Sequence, residues 1–146
     1  MFSNYKDKHW VLLKNNVGEK DYFTELCVEI GDNVSSCTVY AGTDLWIPPE
    51  GVRLIHAPLY IKKNSITKLI SWIKYLLGSI YFLFKLKIKS NLFIVCSPPL
   101  LPILGYLYNK IYRKDYILWV DDIYPDILYA QNILLENSFI ARFWEK

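Results

Sequence analysis

Asp121, Asp122 and Asp126 crowd one short stretch, VDDIYPD, in which Tyr124 and Pro125 also stand. With no cation beside them in the sequence, the adjacent Asp121 and Asp122 repel each other as anions. That repulsion favours keeping a proton on one of them, which would serve a general base or merely cost stability. Asp126 has a plainer reading as the N-cap of a helix through Ile127, Leu128 and Ala130. What the carboxylates can do depends on where the chain puts them.

The residues just before them, YILWV at 116–120, are almost wholly apolar instead of alternating, as are LFIVC at 92–96. Such runs suit strands covered on both faces of a parallel sheet, and both are expected to be central. Between them, Pro98 and Pro99 suit a first helical turn, where a missing N–H costs nothing. Leu101, Leu104, Gly105, Leu107, Tyr108 and Ile111 then follow at helical spacing. Strand, crossover helix and strand make one right-handed unit.

Upstream, residues 9–14 read as a first strand, and Tyr22, Phe23, Leu26, Cys27 and Ile30 as a helix stopped by Gly31-Asp32-Asn33. Residues 37–40 read as a second strand, 46–51 as a loop and 52–56 as a third strand. Strands alternating with helices imply an α/β fold, a Rossmann-like, mostly parallel sheet with helices on both faces. The carboxylates then fall just past the carboxyl end of a strand, in the crevice where open α/β sheets bind ligands.

At 146 residues and 53% hydrophobic, the chain is expected to form a single domain over 1–146. The net charge of +3, from 17 basic and 14 acidic residues, is too small for a nucleic-acid footprint, so no nucleic-acid partner is expected. Cys27, Cys37 and Cys96 are odd in number and lack metal-type spacing, which points to small core residues. His9 and His56 have no Cys, Asp or His at ligand spacing, and no metal site is expected. Walker, G-x-G-x-x-G and Gly-x-Ser-x-Gly motifs are missing, which disfavours an NTPase, a dinucleotide oxidoreductase and an α/β-hydrolase. The mixed polar and charged start has no secretory pattern, so a cytoplasmic location is expected.

The segment 69–84, LISWIKYLLGSIYFLF, is apolar around most of its circumference. Leu69, Ile70, Ile73, Leu76, Leu77 and Ile80 form one face suited to the sheet, leaving Trp72, Tyr75 and Phe82 to point elsewhere beside Ser71 and Ser79. Those rings, with Lys85, Lys87 and Lys89 beyond them, could rest at the headgroup level of an anionic membrane, each lysine contributing about 1 kcal/mol. A second domain covering that side is the alternative. A membrane span is the weaker reading, because the run is shorter than the roughly 20 residues required.

The Ser97-Pro98-Pro99 turn after a strand, the Pro102-to-Gly105 helix and the run from Ile117 to Asp126 together resemble the N-terminal domain of family 4 glycosyltransferases. The most similar subgroup builds colanic acid, capsule and O-antigen polysaccharides. The resemblance covers most of the chain, with its specific part at 92–126. It implies the acceptor-binding half of a GT-B fold, retention of anomeric configuration and no metal. It also implies no cofactor beyond a nucleotide-sugar co-substrate held mainly by a second, C-terminal half. In that setting Asp122 would orient an acceptor hydroxyl, since a carboxylate can accept from two sugar hydroxyls at once. Asp121 and Asp126 stand as second choices, and Ser97, Pro98 and Tyr124 would line the acceptor site. Pro125 would fix the loop, and Gly18 would let the first loop approach substrate.

Two departures stand out. Relatives usually carry a glycine-rich loop after the first strand, often preceded by Pro-Pro-Glu, where this chain has Asn15-Asn16-Val17-Gly18-Glu19-Lys20. Many also have His or Arg where this chain has Asp121. The chain stops within a helix begun at Ser138, so a donor-binding domain is expected to be missing and the chain alone inactive. The expected partners are a lipid-linked sugar acceptor, a donor-binding domain or chain, and the inner face of the cell membrane. The alternative is a non-catalytic membrane-associated binding subunit, or the remnant of a truncated gene.

Overall fold

The computed structural model describes residues 8–18, 22–43, 45–61 and 63–120. The elements run β1 (His9–Asn16), α1 (Tyr22–Asn33), β2 (Ser36–Gly42), β3 (Val52–His56), α2 (Ser65–Lys85), β4 (Asn91–Val95), α3 (Leu101–Tyr112) and β5 (Tyr116–Trp119). The five strands form one sheet in the order β3-β2-β1-β4-β5, and every pairing is parallel. The α/β, Rossmann-like expectation is met.

Side chains alternate across a strand, and this sorts β1 between two cores. Trp10 and Leu12 join Val39 and Phe93 beneath Phe23, Cys27 and Ile30 of α1. Val11 and Leu13 join Tyr40, Leu92 and Ile94 beneath Tyr75 and Leu83 of α2 and Leu101, Leu104 and Tyr108 of α3. Helices therefore cover both faces, with α2 and α3 side by side on one of them.

Helix α1 ends within the Gly31-Asp32-Asn33 stop, at Asn33, whose side-chain amide donates to the Glu29 carbonyl at 2.8 Å. Three expectations need correction. The strand at 116–119 is not central: β5 is an edge of the described sheet, because an apolar run reports two covered faces and says nothing about two paired edges. Pro98 and Pro99 lie ahead of α3 instead of in its first turn, and it is Pro102 that occupies that turn. The third concerns α2.

In α2 the inward face is the aromatic and serine one. Tyr75 is 0% exposed and donates to the Tyr40 carbonyl at 3.0 Å. Ser71 and Ser79 are buried, each hydroxyl donating to the carbonyl one turn back, Thr67 and Tyr75 respectively. Phe82 is half-buried and stacks on Tyr40 with ring centroids 4.7 Å apart. Gly78 lets the Tyr40 hydroxyl come against the helix backbone. Most of the aliphatic side points out: Ile66, Leu69, Ile70, Ile73 and Leu77 are all exposed, Leu77 to 60%, while Leu76 and Ile80 pack against the core as expected. Small side chains let the helix approach the sheet closely, and back-bonded serines bring little polarity with them.

At 21 residues, α2 is also longer than its apolar run and long enough, by length and composition, to cross a bilayer. One side of it packs on the sheet against Tyr40, while only 28% of the apolar span is buried in this domain. At the end of α3, Arg113 adopts the left-handed conformation at φ 54°, its N–H donating to the Asn109 carbonyl at 2.8 Å. Arg113→Gly relieves that strain while loosening the unfolded chain, and should raise stability by roughly 0.5 kcal/mol. Thermal unfolding should show a midpoint about 2 °C higher.

Candidate functional site

The chain leaves β1 through α1 toward β2 on one side, and leaves β4 through α3 toward β5 on the other. Its direction across the sheet therefore reverses between the adjacent strands β1 and β4. The carboxyl ends at such a reversal splay their loops apart and leave a crevice. Here the crevice is framed by Lys14, Asn15 and Gly18 from β1 and its loop, Gly42 and Thr43 from β2, Cys96 to Pro98 from β4, and Trp119 from β5.

Polar groups are buried at this end. Lys14 is 7% exposed, and its ammonium lies over the rings of Tyr22 and Phe23, 4.3 and 4.9 Å from their centroids. Aromatic faces stabilise a cation that burial would otherwise penalise. Asn15 is 3% exposed, and its Oδ1 has no hydrogen-bond partner among the described residues. Leaving a buried acceptor unpaired costs about 1–3 kcal/mol, so a fold that keeps one has either tolerated that cost or reserved the atom for a ligand.

The surroundings of these groups are rigid. A β-carbon on Gly42 would lie 2.6 Å from the Pro58 carbonyl oxygen and 2.7 Å from that of Asn15, both backbone atoms that cannot rotate away. Thr43 Oγ1 accepts from the Trp46 N–H at 3.0 Å, and the Trp46 indole donates to Thr24 Oγ1 at 2.9 Å, which ties the loop after β2 to α1. Across the crevice the Cys96 N–H donates to the Trp119 carbonyl at 2.9 Å, and the Ser97 N–H to that of Val95 at 2.7 Å. The Ser97–Pro98 peptide is cis. Trp119 stacks on Tyr22, centroids 5.5 Å apart, so β5 and the first turn of α1 share a half-exposed aromatic platform.

Of the residues expected from sequence, Gly18, Ser97 and Pro98 come together at this carboxyl end. Pro98 is buried, Ser97 half-buried and Gly18 exposed. Nothing lies within 4 Å of a β-carbon built on Gly18, so the fold itself does not require glycine there. Asp121, Asp122, Tyr124, Pro125 and Asp126 lie outside the described residues, as does the helix expected from Ser138. Val120, the last described residue before the acidic run, leads away from the same edge of the crevice.

The residues assigned to membrane contact divide. Tyr75 is fully buried and cannot touch a membrane, a correction that follows from the rotation of α2. Trp72 and Phe82 are half-buried, with Lys68 over the Trp72 ring at 4.8 Å. Lys85 and Lys87 are exposed, whereas Lys89 donates to the carbonyls of Leu83 and Phe84 at 3.2 and 3.1 Å. All three lysines lie at the amino ends of the strands, away from the crevice.

Lys14, Asn15 and Thr43 escaped the sequence reading. A lysine and an asparagine closing an apolar strand look like the start of a solvated loop. The available signal was Tyr22-Phe23 a few residues on, able to cover a cation. No family model matches the chain, no curated protein matches it, and no solved structure matches it.

Proposed function

We infer that this chain is the acceptor-binding half of a retaining glycosyltransferase. It would act on a lipid-linked or polysaccharide acceptor in cell-surface polysaccharide assembly, with the donor nucleotide sugar bound by a second half on this or another chain. The supporting observation is that the glycosyltransferase-like run of 117–126 begins in β5 and its described part ends at the carboxyl end of a parallel sheet, with the Ser97-Pro98-Pro99 turn after the adjacent strand. Asn15 Oδ1, unpaired among the described residues, and the Tyr22–Trp119 platform suit a sugar, which offers hydroxyls to the one and C–H faces to the other.

In this reading an acceptor hydroxyl is held against Asp122 while its oxygen bonds to the anomeric carbon of the donor. The bond from that carbon to the diphosphate oxygen breaks, the nucleoside diphosphate leaves, and the hydroxyl proton passes to a base or to solvent. Asp122 positions the hydroxyl and lowers the cost of its developing charge. The exposed aliphatic sides of α2 and α3 would rest on the inner surface of the membrane, where a lipid-linked acceptor is presented. That apolar face equally favours a second reading, a non-catalytic membrane-associated binding subunit.

The purified chain should transfer no sugar from any nucleotide sugar by itself. Combined with a donor-binding half that restores transfer, Asp122→Asn should lower the rate by about 10²- to 10⁴-fold with an unchanged thermal midpoint. Transfer by the chain alone, or full activity in the Asn variant, would refute the reading.

A further inference from the structure

The amino ends of the strands hold a second cavity, remote from the crevice. It occupies about 370 Å³ between the last turn of α2 and the sheet, and its polar lining comes from His9, Ser36, Thr38, Arg53, Lys85, Lys87 and Ser90. No Asp or Glu stands among its described lining residues. The rest of the wall is apolar, with Ile55, Phe82 and Ile88 the largest members.

Clusters of cations near a helix C-terminus often serve only to neutralise the carbonyls that the last turn leaves unpaired. Here Lys89 already does so, donating to the carbonyls of Leu83 and Phe84. Arg53 and Lys87 are exposed and have no carboxylate or carbonyl partner among the described residues. His9 Nδ1 and Ser36 Oγ are 2.6 Å apart, which fixes the imidazole and leaves Nε2 as its other hydrogen-bonding atom. A planar guanidinium, two ammonium groups and hydroxyls around one cavity match the geometry and charge of a phosphoryl group.

We propose that this cavity binds a phosphate ester whose organic portion lies along the apolar wall. The proposal does not rest on the glycosyltransferase reading, since it concerns the opposite end of the sheet. The exposed aliphatic face of α2 ends beside the cavity at Phe84, and Ile88 joins the lining, so a phosphate carried on a lipid headgroup and a free phosphate ester are both geometrically admissible sources.

Titrating the full chain with inorganic phosphate, followed by amide chemical shifts, tests the free source. Co-sedimentation with phosphatidylcholine vesicles, with and without phosphatidylglycerol, tests the headgroup source. The probe variant is the double substitution Arg53→Gln and Lys87→Gln, both at exposed positions. Lys74→Gln, an exposed lysine of α2 outside the cavity, is the control. Removing each cavity cation should weaken binding roughly fivefold, and both together roughly 25-fold, against a small loss for the control. Phosphate shifts at Ser36, Arg53 and Ser90 that the double variant abolishes, with vesicle binding unaffected, would assign a soluble ester. Phosphatidylglycerol-dependent sedimentation that the double variant loses and Lys74→Gln keeps would assign a headgroup. Equal weakening by the double variant and the control, or no response of cavity residues to either probe, would overturn the proposal.

Discussion

Tyr75→Ala should destabilise the fold by about 4 kcal/mol, Tyr75→Phe by about 1 kcal/mol, and Leu77→Ala by less than about 0.5 kcal/mol. Tyr75 is a large ring buried against Tyr40, and its hydroxyl donates to the Tyr40 carbonyl. Truncation to alanine opens a cavity between α2 and the sheet and also leaves an acceptor short of a donor. Truncation to phenylalanine keeps the packing and loses only the hydrogen bond. Leu77 sits two residues away on the exposed side, so removing its side chain disturbs little. Urea unfolding of the three variants gives the order directly. The reverse order, with Leu77→Ala the costlier change, would mean that α2 presents its aliphatic face to the core.

A second large effect is expected in alkali. Burial pushes the Cys37 thiol up from its ordinary value of 9.0 to about 12. Burial also raises Tyr75 well above the usual phenol range, aided by the adjacent Tyr40, and raises Tyr40 and Tyr108. In each case the folded state holds its proton more tightly than the unfolded chain does. The stability linked to Cys37 is therefore fully present below about pH 9 and is lost as pH climbs toward 12, amounting to about 4 kcal/mol over that window. Denaturant midpoints measured from pH 8 to 11 should fall more steeply for the native chain than for Cys37→Ala. Parallel curves would show that the thiol is not the linked group. At pH 8 the folded protein should leave Cys37 unmodified by thiol reagents that label it in urea.

How far the sequence disclosed this molecule is best seen in α2 and β1. Strands β1, β3 and β4 were readable because an apolar run flanked by turn residues has few other homes in a chain of this length. The helical character of α2 was readable for the same reason, but its length was not, since the helix runs for 21 residues from Ser65 to Lys85, beyond the apolar run at 69–84. Its orientation was not, since both of its sides are apolar and the deciding features are tertiary. Gly78 admits the Tyr40 hydroxyl, and Ser71 and Ser79 donate their hydroxyls to carbonyls of their own helix. Hydrophobicity alone ranks the leucine and isoleucine side as the inner one, and close approach outweighs that ranking.

The site divides in a similar way. That the carboxyl ends of the strands would frame a crevice followed from the order of elements, and Ser97 and Pro98 lie at that end. Lys14 and Asn15 were missed because burial of a charge at a strand end depends on rings brought over it by the next helix. The fold leaves open space around Gly18, so a need for glycine there would come from a bound substrate and not from the protein's own packing.

The pairing of β1 with both β2 and β4 also sets an order of assembly. As the chain leaves the ribosome, β1, α1 and β2 can close on one another at once, because they are neighbours in sequence. The other edge of β1, from Trp10 to Leu13, stays open until Asn91 to Ile94 have been made and all of α2 has already emerged. For that interval a bare apolar strand edge and an undocked apolar helix coexist in the nascent chain, the combination most prone to aggregation and most in need of chaperone cover.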